Sequence, residues 1–143
     1  MEAIESRTIQ PGDVVVSRNQ GLKGGPAMGG GASLILFALD AAGLAKTTAF
    51  VTDGQLSGLC LKGLTVAEVS PEAATGGPIG KVRDGDVITI SVANRSIDVA
   101  VPAQEMAARE GAGYVTEASG YLSYFRETVR PLDTGGVLLP PSC

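Results

Sequence analysis

The stretch that most constrains this chain is Thr48-Ala49-Phe50-Val51, followed at once by Thr52-Asp53-Gly54-Gln55-Leu56-Ser57-Gly58. The apolar run reads as a short buried strand spanning residues 46–51. It stops at an acid, a glycine, and a serine with a glycine directly behind it. A serine on a tight turn at the end of a buried strand is held out toward whatever lies above the sheet. Upstream, residues 14–18, Val-Val-Val-Ser-Arg, form a β-branched run that reads as a strand. Between the two strands lie a glycine-rich loop, residues 19–31, and an apolar helix over residues 32–42. Strand, loop, helix, strand is a parallel crossover unit.

Several details follow from that frame. Ser33 is the expected N-cap of the helix and Gly43 its C-cap residue. Leu34, Ile35, Leu36, Phe37 and Leu39 make the helix apolar nearly all round, which predicts deep burial. The loop from Lys23 to Gly31, entering a helix, has the physics of an anion site or else serves as a mobile connector. It is not a Walker loop, because no Gly-Lys-Ser/Thr closes it.

Downstream, residues 64–69 read as a strand. Ser70-Pro71-Glu72-Ala73-Ala74 reads as one helical turn with Ser70 as N-cap and Pro71 at the first helical position. Asp84-Gly85-Asp86 reads as a hairpin turn. Residues 87–92 and 97–101 pair as a β-hairpin through Ala93-Asn94-Arg95-Ser96. Residues 102–110 form a short exposed helix and residues 121–129 another, with Tyr121, Tyr124, Phe125 and Val129 on one face. Residues 132–139 are a turn and a final short strand. The first ten residues are a short helix or an extended lead-in.

Composition excludes several classes. The chain has 143 residues, the size of one ordinary domain, and one domain over residues 1–143 is expected. The net charge is −4 with no basic run, which argues against nucleic acid as a partner. No apolar run approaches the ~20 residues that span a bilayer. The N-terminus lacks the zones of a signal peptide, so a cytoplasmic protein is expected. Histidine is absent, so a Ser-His-Asp triad cannot be completed within this chain. The two cysteines, Cys60 and Cys143, are far apart and make no metal motif. Cys60 reads as packing and Cys143 as a free thiol. Asp53, with no partner carboxylate at matching spacing, reads as structural.

The motifs together resemble the C-terminal domain of the dihydroxy-acid dehydratase and phosphogluconate dehydratase family. The resemblance is carried by residues 12–16 with Gly24-Gly25-Pro26, by Thr52-Asp53-Gly54-Gln55-Leu56-Ser57-Gly58, by Val69-Ser70-Pro71-Glu72-Ala73, by Gly76-Gly77-Pro78 and by Asp84-Gly85-Asp86, in order. It runs from about Gly12 into the tail. It implies an α+β fold, a swivelling-type mixed β-barrel flanked by helices. It implies a hydro-lyase activity that turns 2,3-dihydroxy or sugar acids into 2-keto acids. Ser57 then matches the base on the C2 proton. Gly54 and Gly58, with Gly24 and Gly25, would bring backbone amides to a substrate carboxylate.

The same resemblance implies an iron–sulfur cluster as Lewis acid on the leaving hydroxyl, with Mg2+ nearby, held mainly by a larger N-terminal domain. Two cysteines cannot supply the thiolates such a cluster takes, so this chain alone is expected to bind no cofactor. Where the family often carries Pro-Glu-Met, whose Glu helps hold the metal, this chain has Gly29-Gly30-Gly31. The expected partners are the missing cluster-binding domain or subunit, a small carboxylate and a second copy of the chain, since members of the family are dimeric. Loss of the large domain predicts an exposed apolar face. Two other readings stand beside the dehydratase one: a non-catalytic binding or scaffold module that keeps the fold, and a small-anion sensor using the glycine loop.

Overall fold

The computed structural model describes residues 2–28, 30–60, 62–113 and 119–139. The chain begins with a single helical turn, α1 (Glu2–Glu5), and β1 (Val14–Ser17). It continues through α2 (Gly30–Ala41), β2 (Ala49–Thr52) and β3 (Leu64–Val66). Two 3-10 turns, Ala73–Thr75 and Pro78–Lys81, lead to the hairpin β4 (Ile88–Ser91) and β5 (Ser96–Val99). Then come α3 (Ala103–Ala108), α4 (Tyr121–Thr128) and a last 3-10 turn, Leu132–Thr134.

The crossover unit forms as its spacing requires. β1, β2 and β3 make a parallel sheet in that order, with Val14 opposite Ala49 and Ala49 opposite Leu64. β2 is central and buried along its whole length. Its side chains alternate between two layers. Phe50 points with Val15 toward Ala32 and Leu36 of α2 and toward Cys60. Val51 packs with Val14, Val16 and Val66 toward Ala73, Ile79 and Ile90. The sheet is therefore covered by α2 on one face and by the 3-10 turns and the hairpin on the other.

Several expectations are corrected by this packing. α2 takes in Gly30 and Gly31, so Ser33 lies inside the helix and not at its cap. Its hydroxyl sits 3.2 Å from the Cys60 thiol. The helix is not buried all round: the sheet lies on one side only, facing Ala32, Leu36 and Leu39, while Leu34 is 64% and Phe37 44% exposed. Gly43 does close the helix, at φ +75°, with Leu44 N–H donating to Leu39 C=O at 2.8 Å.

β3 stops at Val66 because the chain bends over the end of β2. Glu68 takes φ +57° and donates its N–H to Gly54 C=O, and Val69 donates to Thr52 C=O. The helical turn expected from Ser70 starts at Ala73 instead, past a cis Ser70–Pro71 bond. The N–H of Ala73 goes to a distant carboxylate, described below, and not to Ser70. α4 buries only its C-terminal end. Val129, just past the helix, is 1% exposed, whereas Tyr121 and Tyr124 of the same expected face are 68% and 51% exposed. The final strand reduces to a bridge between Val129 and Leu138.

The hairpin is present, with Ile88 opposite Val99 and Ser91 opposite Ser96. Asp84-Gly85-Asp86 is not its turn; that turn is residues 92–95, where Arg95 N–H donates to Val92 C=O. Gly85, at φ +90°, instead lets the chain turn from the second 3-10 segment into β4. There the Asp86 carboxylate accepts the Arg83 N–H at 2.8 Å and a forked pair of bonds from Arg109 at 2.5 and 3.0 Å. Arg109 also meets Glu105 at 2.8 Å, so it ties the end of α3 to the start of the hairpin.

The fold is mixed α+β, with one parallel and one antiparallel sheet. Among the described residues no strand ladder joins the sheets, and they do not close into a barrel, which needs every strand paired on both sides. No described helix is long and apolar enough to cross a membrane.

The forked bonds from Arg109, with the Arg83 amide, hold the Asp86 carboxyl down from 3.8 to about 2. A carboxyl depressed in the folded state stabilises it fully above its unfolded value, and the contribution disappears as pH falls through the folded one. Urea midpoints of the wild type should therefore fall more steeply between pH 4 and pH 2 than those of Asp86→Asn, and equal slopes would refute the pairing.

Candidate functional site

The site is built at the carboxyl end of β2. Thr52 and Asp53 are wholly buried. A carboxylate at 0% exposure needs donors on its lone pairs. Asp53 has them from two directions. Its Oδ1 accepts the N–H of Gln20 at 2.8 Å. Its Oδ2 accepts the N–H of Asn19 at 3.1 Å and of Ala73 at 2.9 Å. The glycine loop that leaves β1 and the 3-10 turn that follows β3 are thus both hung on one side chain. For Ala73 the carboxylate acts as a helix cap supplied from elsewhere in the chain.

A second buried carboxylate works the same way. Glu72, 5% exposed, accepts the N–H of Lys23 at 2.9 Å and of Gly24 at 2.7 Å through Oε1. Sequence reading placed Glu72 in the first turn of a helix and missed this role. The available signal was an acid within an otherwise apolar, proline-led segment, with no basic residue beside it to hold its charge. Lys23 itself reaches the carbonyl of Arg126 in α4 at 2.9 Å.

The residues singled out in advance fall into two groups. Gly24 and Gly25 lie in the loop, packed against Asn19 and Gln20, and a Cβ on Gly24 would come 2.7 Å from the Ala74 side chain. The N–H of Gly24 is taken by Glu72, and that of Gly25 by Gly21 C=O at 3.0 Å. Gly54 seats the turn on this loop: its own Cβ would fall 2.6 Å from the carbonyl oxygen of Gln20. Its N–H bonds Thr52 Oγ1, and the next N–H, of Gln55, bonds Ala27 C=O at 2.7 Å.

Ser57 and Gly58 are different. Ser57 is half-buried, Gly58 is exposed, and nothing lies within 4 Å of where a Gly58 Cβ would be. Ser57 Oγ accepts the N–H of Leu59 at 3.3 Å, a local serine turn. The backbone N–H groups of Leu56, Ser57 and Gly58 meet no acceptor among the described residues. Gly54 stands between the two groups, joining the loop of Gly24 and Gly25 to the turn of Ser57.

The segments that meet at this turn carry exposed apolar side chains. The contact of Ser33 with Cys60 draws this turn to the first turn of α2, and the Gln55–Ala27 bond draws the end of the loop beside it. Met28, Leu34, Phe37 and Leu59 from these segments are 55%, 64%, 44% and 69% exposed. Asn19, at φ +60° where the loop leaves β1, keeps a buried Oδ1 with no partner among the described residues. Gly29 and Cys143, both weighed in the sequence, lie outside the described residues.

These features define an α+β domain with a serine turn at the end of a buried parallel strand, supported by two carboxylates that bind only backbone. The model of the dihydroxy-acid/6-phosphogluconate dehydratase C-terminal family matches residues 1–136, and the chain belongs to that family.

Among the described residues the donor set does not fit an iron–sulfur cluster or a metal ion. Among the described residues no three His, Cys, Asp or Glu side chains group together. Cys60 is buried beside Ser33. Asp53 spends both oxygens on amides, and Glu72 spends Oε1 on two.

Removing the Asp53 carboxylate leaves one buried and two part-buried N–H groups without acceptors. Asp53→Ala should therefore lower stability by roughly 3 kcal/mol or more, since each such orphan costs on the order of 1–3 kcal/mol. Glu72→Gln keeps an acceptor oxygen for both of its amides and should cost about 1 kcal/mol. Urea titration of both variants checks the ranking, and a smaller loss for Asp53→Ala would overturn it.

Proposed function

We propose that this chain is the C-terminal domain or a split subunit of a hydro-lyase that converts 2,3-dihydroxy or sugar acids to 2-keto acids. It contributes Ser57 as the base on the C2 proton and a stretch of backbone that binds the substrate carboxylate. The observation that carries this reading is the row of unclaimed N–H groups at Leu56, Ser57 and Gly58 beside a half-exposed hydroxyl. Successive free amides make a concavity suited to an anion. The hydroxyl belongs to the middle residue of that row.

The roles divide accordingly. Gly58 and its two predecessors hold the carboxylate. Gly54 gives the turn its close seat, and Gly24 and Gly25 shape the loop beneath it, their own amides being engaged. Ser57 Oγ, once ionised, takes the C2 proton; the C2–H electron pair becomes the C2=C3 bond as the C3–O bond breaks, the departing hydroxyl leaves as water with the proton that Ser57 gave up, and the enol tautomerises to the keto acid. A serine hydroxyl is a poor base, and this chain has no histidine to activate it. In this reading activation comes from an N-terminal cluster-binding domain or subunit, which carries the iron–sulfur cluster and Mg2+. The exposed Met28, Leu34, Phe37 and Leu59 are the surface that partner covers. Left bare, the same surface favours self-association.

In the same reading the chain is one cytoplasmic domain over residues 1–143, and its two sheets belong to a swivelling-type barrel. The anion-sensor alternative loses the Lys23, Gly24, Gly25, Ala27 and Met28 amides of the glycine loop, which are already bonded within the protein, and would rest on the N-terminus of α2.

The chain alone should be inactive on dihydroxy acids and become active when a cluster-bearing partner polypeptide is added. In that assembly Ser57→Ala should lower kcat by about 10²–10⁴-fold, the range for a lost general base, with an unchanged urea midpoint. Full activity of Ser57→Ala would refute the base role. The carboxylate half is tested separately on the chain by itself: a 2-keto acid should shift the amide resonances of residues 56–58, and no shift would remove it.

A further inference from the structure

Backbone strain is concentrated beside the serine turn. Five described non-glycine residues take a left-handed φ: Arg7, Asn19, Ala27, Glu68 and Arg95. Arg7 closes the turn after α1, with its N–H on Ile4 C=O, and Arg95 sits in the hairpin turn, where such a φ reverses the chain. The other three are bonded to three consecutive residues. Asn19, at +60°, donates its N–H to the Asp53 carboxylate. Glu68, at +57°, donates its N–H to Gly54 C=O at 3.0 Å. Ala27, at +62°, accepts the Gln55 N–H at 2.7 Å. Glu68 holds Gln55 as well, its Oε1 accepting the Gln55 side-chain N–H at 3.1 Å. Among the described residues Gln55 is bonded only to Ala27 and Glu68. The peptide plane that leaves Gln55 carries the first uncommitted amide, that of Leu56.

Glycine takes a left-handed φ without steric cost, and this chain has 20 glycines, several of them in the same loop. A side chain at such a φ costs stability and persists where the surroundings over-determine it, as they do at binding and catalytic sites. A residue with a Cβ also has fewer backbone states than glycine, so it holds what it bonds more firmly. The far end of the turn is anchored separately: Cys60 N–H donates to Ser57 C=O at 2.9 Å, and the Cys60 side chain packs with Ala32, Leu36 and Phe50. We propose that Ala27 and Glu68 are positioning residues for the serine turn, clamping Gln55 so that the N–H groups of Leu56, Ser57 and Gly58 stay aimed at one anion. The fold gives up stability at these two residues and gains a fixed row of donors. For its ligand, a carboxylate, this inference rests on the proposed function; the clamp itself does not.

Three variants of the full chain decide between a clamp and a merely structural role. Glu68→Gly and Ala27→Gly suit the left-handed φ and keep the backbone bonds, whereas Glu68→Gln keeps the side chain and an acceptor for Gln55. In NMR relaxation of the free chain, amide order parameters at residues 55–57 should be about 0.85 in the wild type and in Glu68→Gln. In both glycine variants they should fall toward about 0.6, with β2 unchanged. Urea midpoints of the glycine variants should equal or exceed that of the wild type. The Kd for pyruvate, read from the amide shifts of residues 56–58, should nevertheless rise about tenfold, the effect of re-ordering roughly one residue of backbone. The proposal is overturned if the turn is already mobile in the wild type, or if both glycine variants keep its order or its pyruvate affinity. It is overturned as well if their affinity falls only along with the urea midpoint, or if Glu68→Gln loses as much as Glu68→Gly, which assigns the effect to charge. Lost order in the glycine variants of a chain that binds no pyruvate leaves the clamp standing and removes the carboxylate reading of the turn.

Discussion

Everything around the serine turn depends on one wholly buried carboxylate. Among the described residues Asp53 has no ion-pair partner; it is held by the backbone N–H groups of Asn19, Gln20 and Ala73. A buried charge in that position stabilises the fold only while all its donors stay in place, because the low local dielectric strengthens each bond and makes each loss costly. The bonds reach from the end of β2 to segments 34 and 20 residues away in sequence. They convert a glycine loop and a proline-led bend into fixed neighbours of Gly54. Glu72 repeats the device one step further out, clamping Lys23 and Gly24.

The consequence for function is a division of labour among the glycines. Amides deep in the loop are committed to these protein carboxylates, and an external anion would have to displace them. The amides at the outer turn, residues 56–58, are uncommitted. The scaffold thus uses its own acids to make the inner backbone rigid and leaves the outer backbone available, which is the preorganisation an anion site needs. Met28, Leu34, Phe37 and Leu59, on the segments that meet here, are exposed as well.

Much of the fold was legible because its signals are local. The β-branched run at Val14–Ser17, the Gly43 cap and the hairpin around Arg95 each follow from a few adjacent residues. The family was legible because its motifs occur in order along the chain. What was not legible involves partners distant in sequence. Ser33 was expected to cap α2 but contacts Cys60, Ser70 was expected to cap a turn that Asp53 caps instead, and Asp86 was read as hairpin chemistry although its bonds go to Arg83 and Arg109. Periodicity likewise described α2 as apolar on all sides, and could not say that only one side would find a sheet.

By itself, then, the sequence determined which segments become strands and helices, that β1, α2 and β2 form a parallel crossover, and which family the chain belongs to. Propensity, turn chemistry and motif order are properties of neighbouring residues. Only the tertiary structure decided which amides are spent and which are free, because that depends on where the buried carboxylates of Asp53 and Glu72 come to lie, and a buried charge takes whatever donors the packed chain brings within reach.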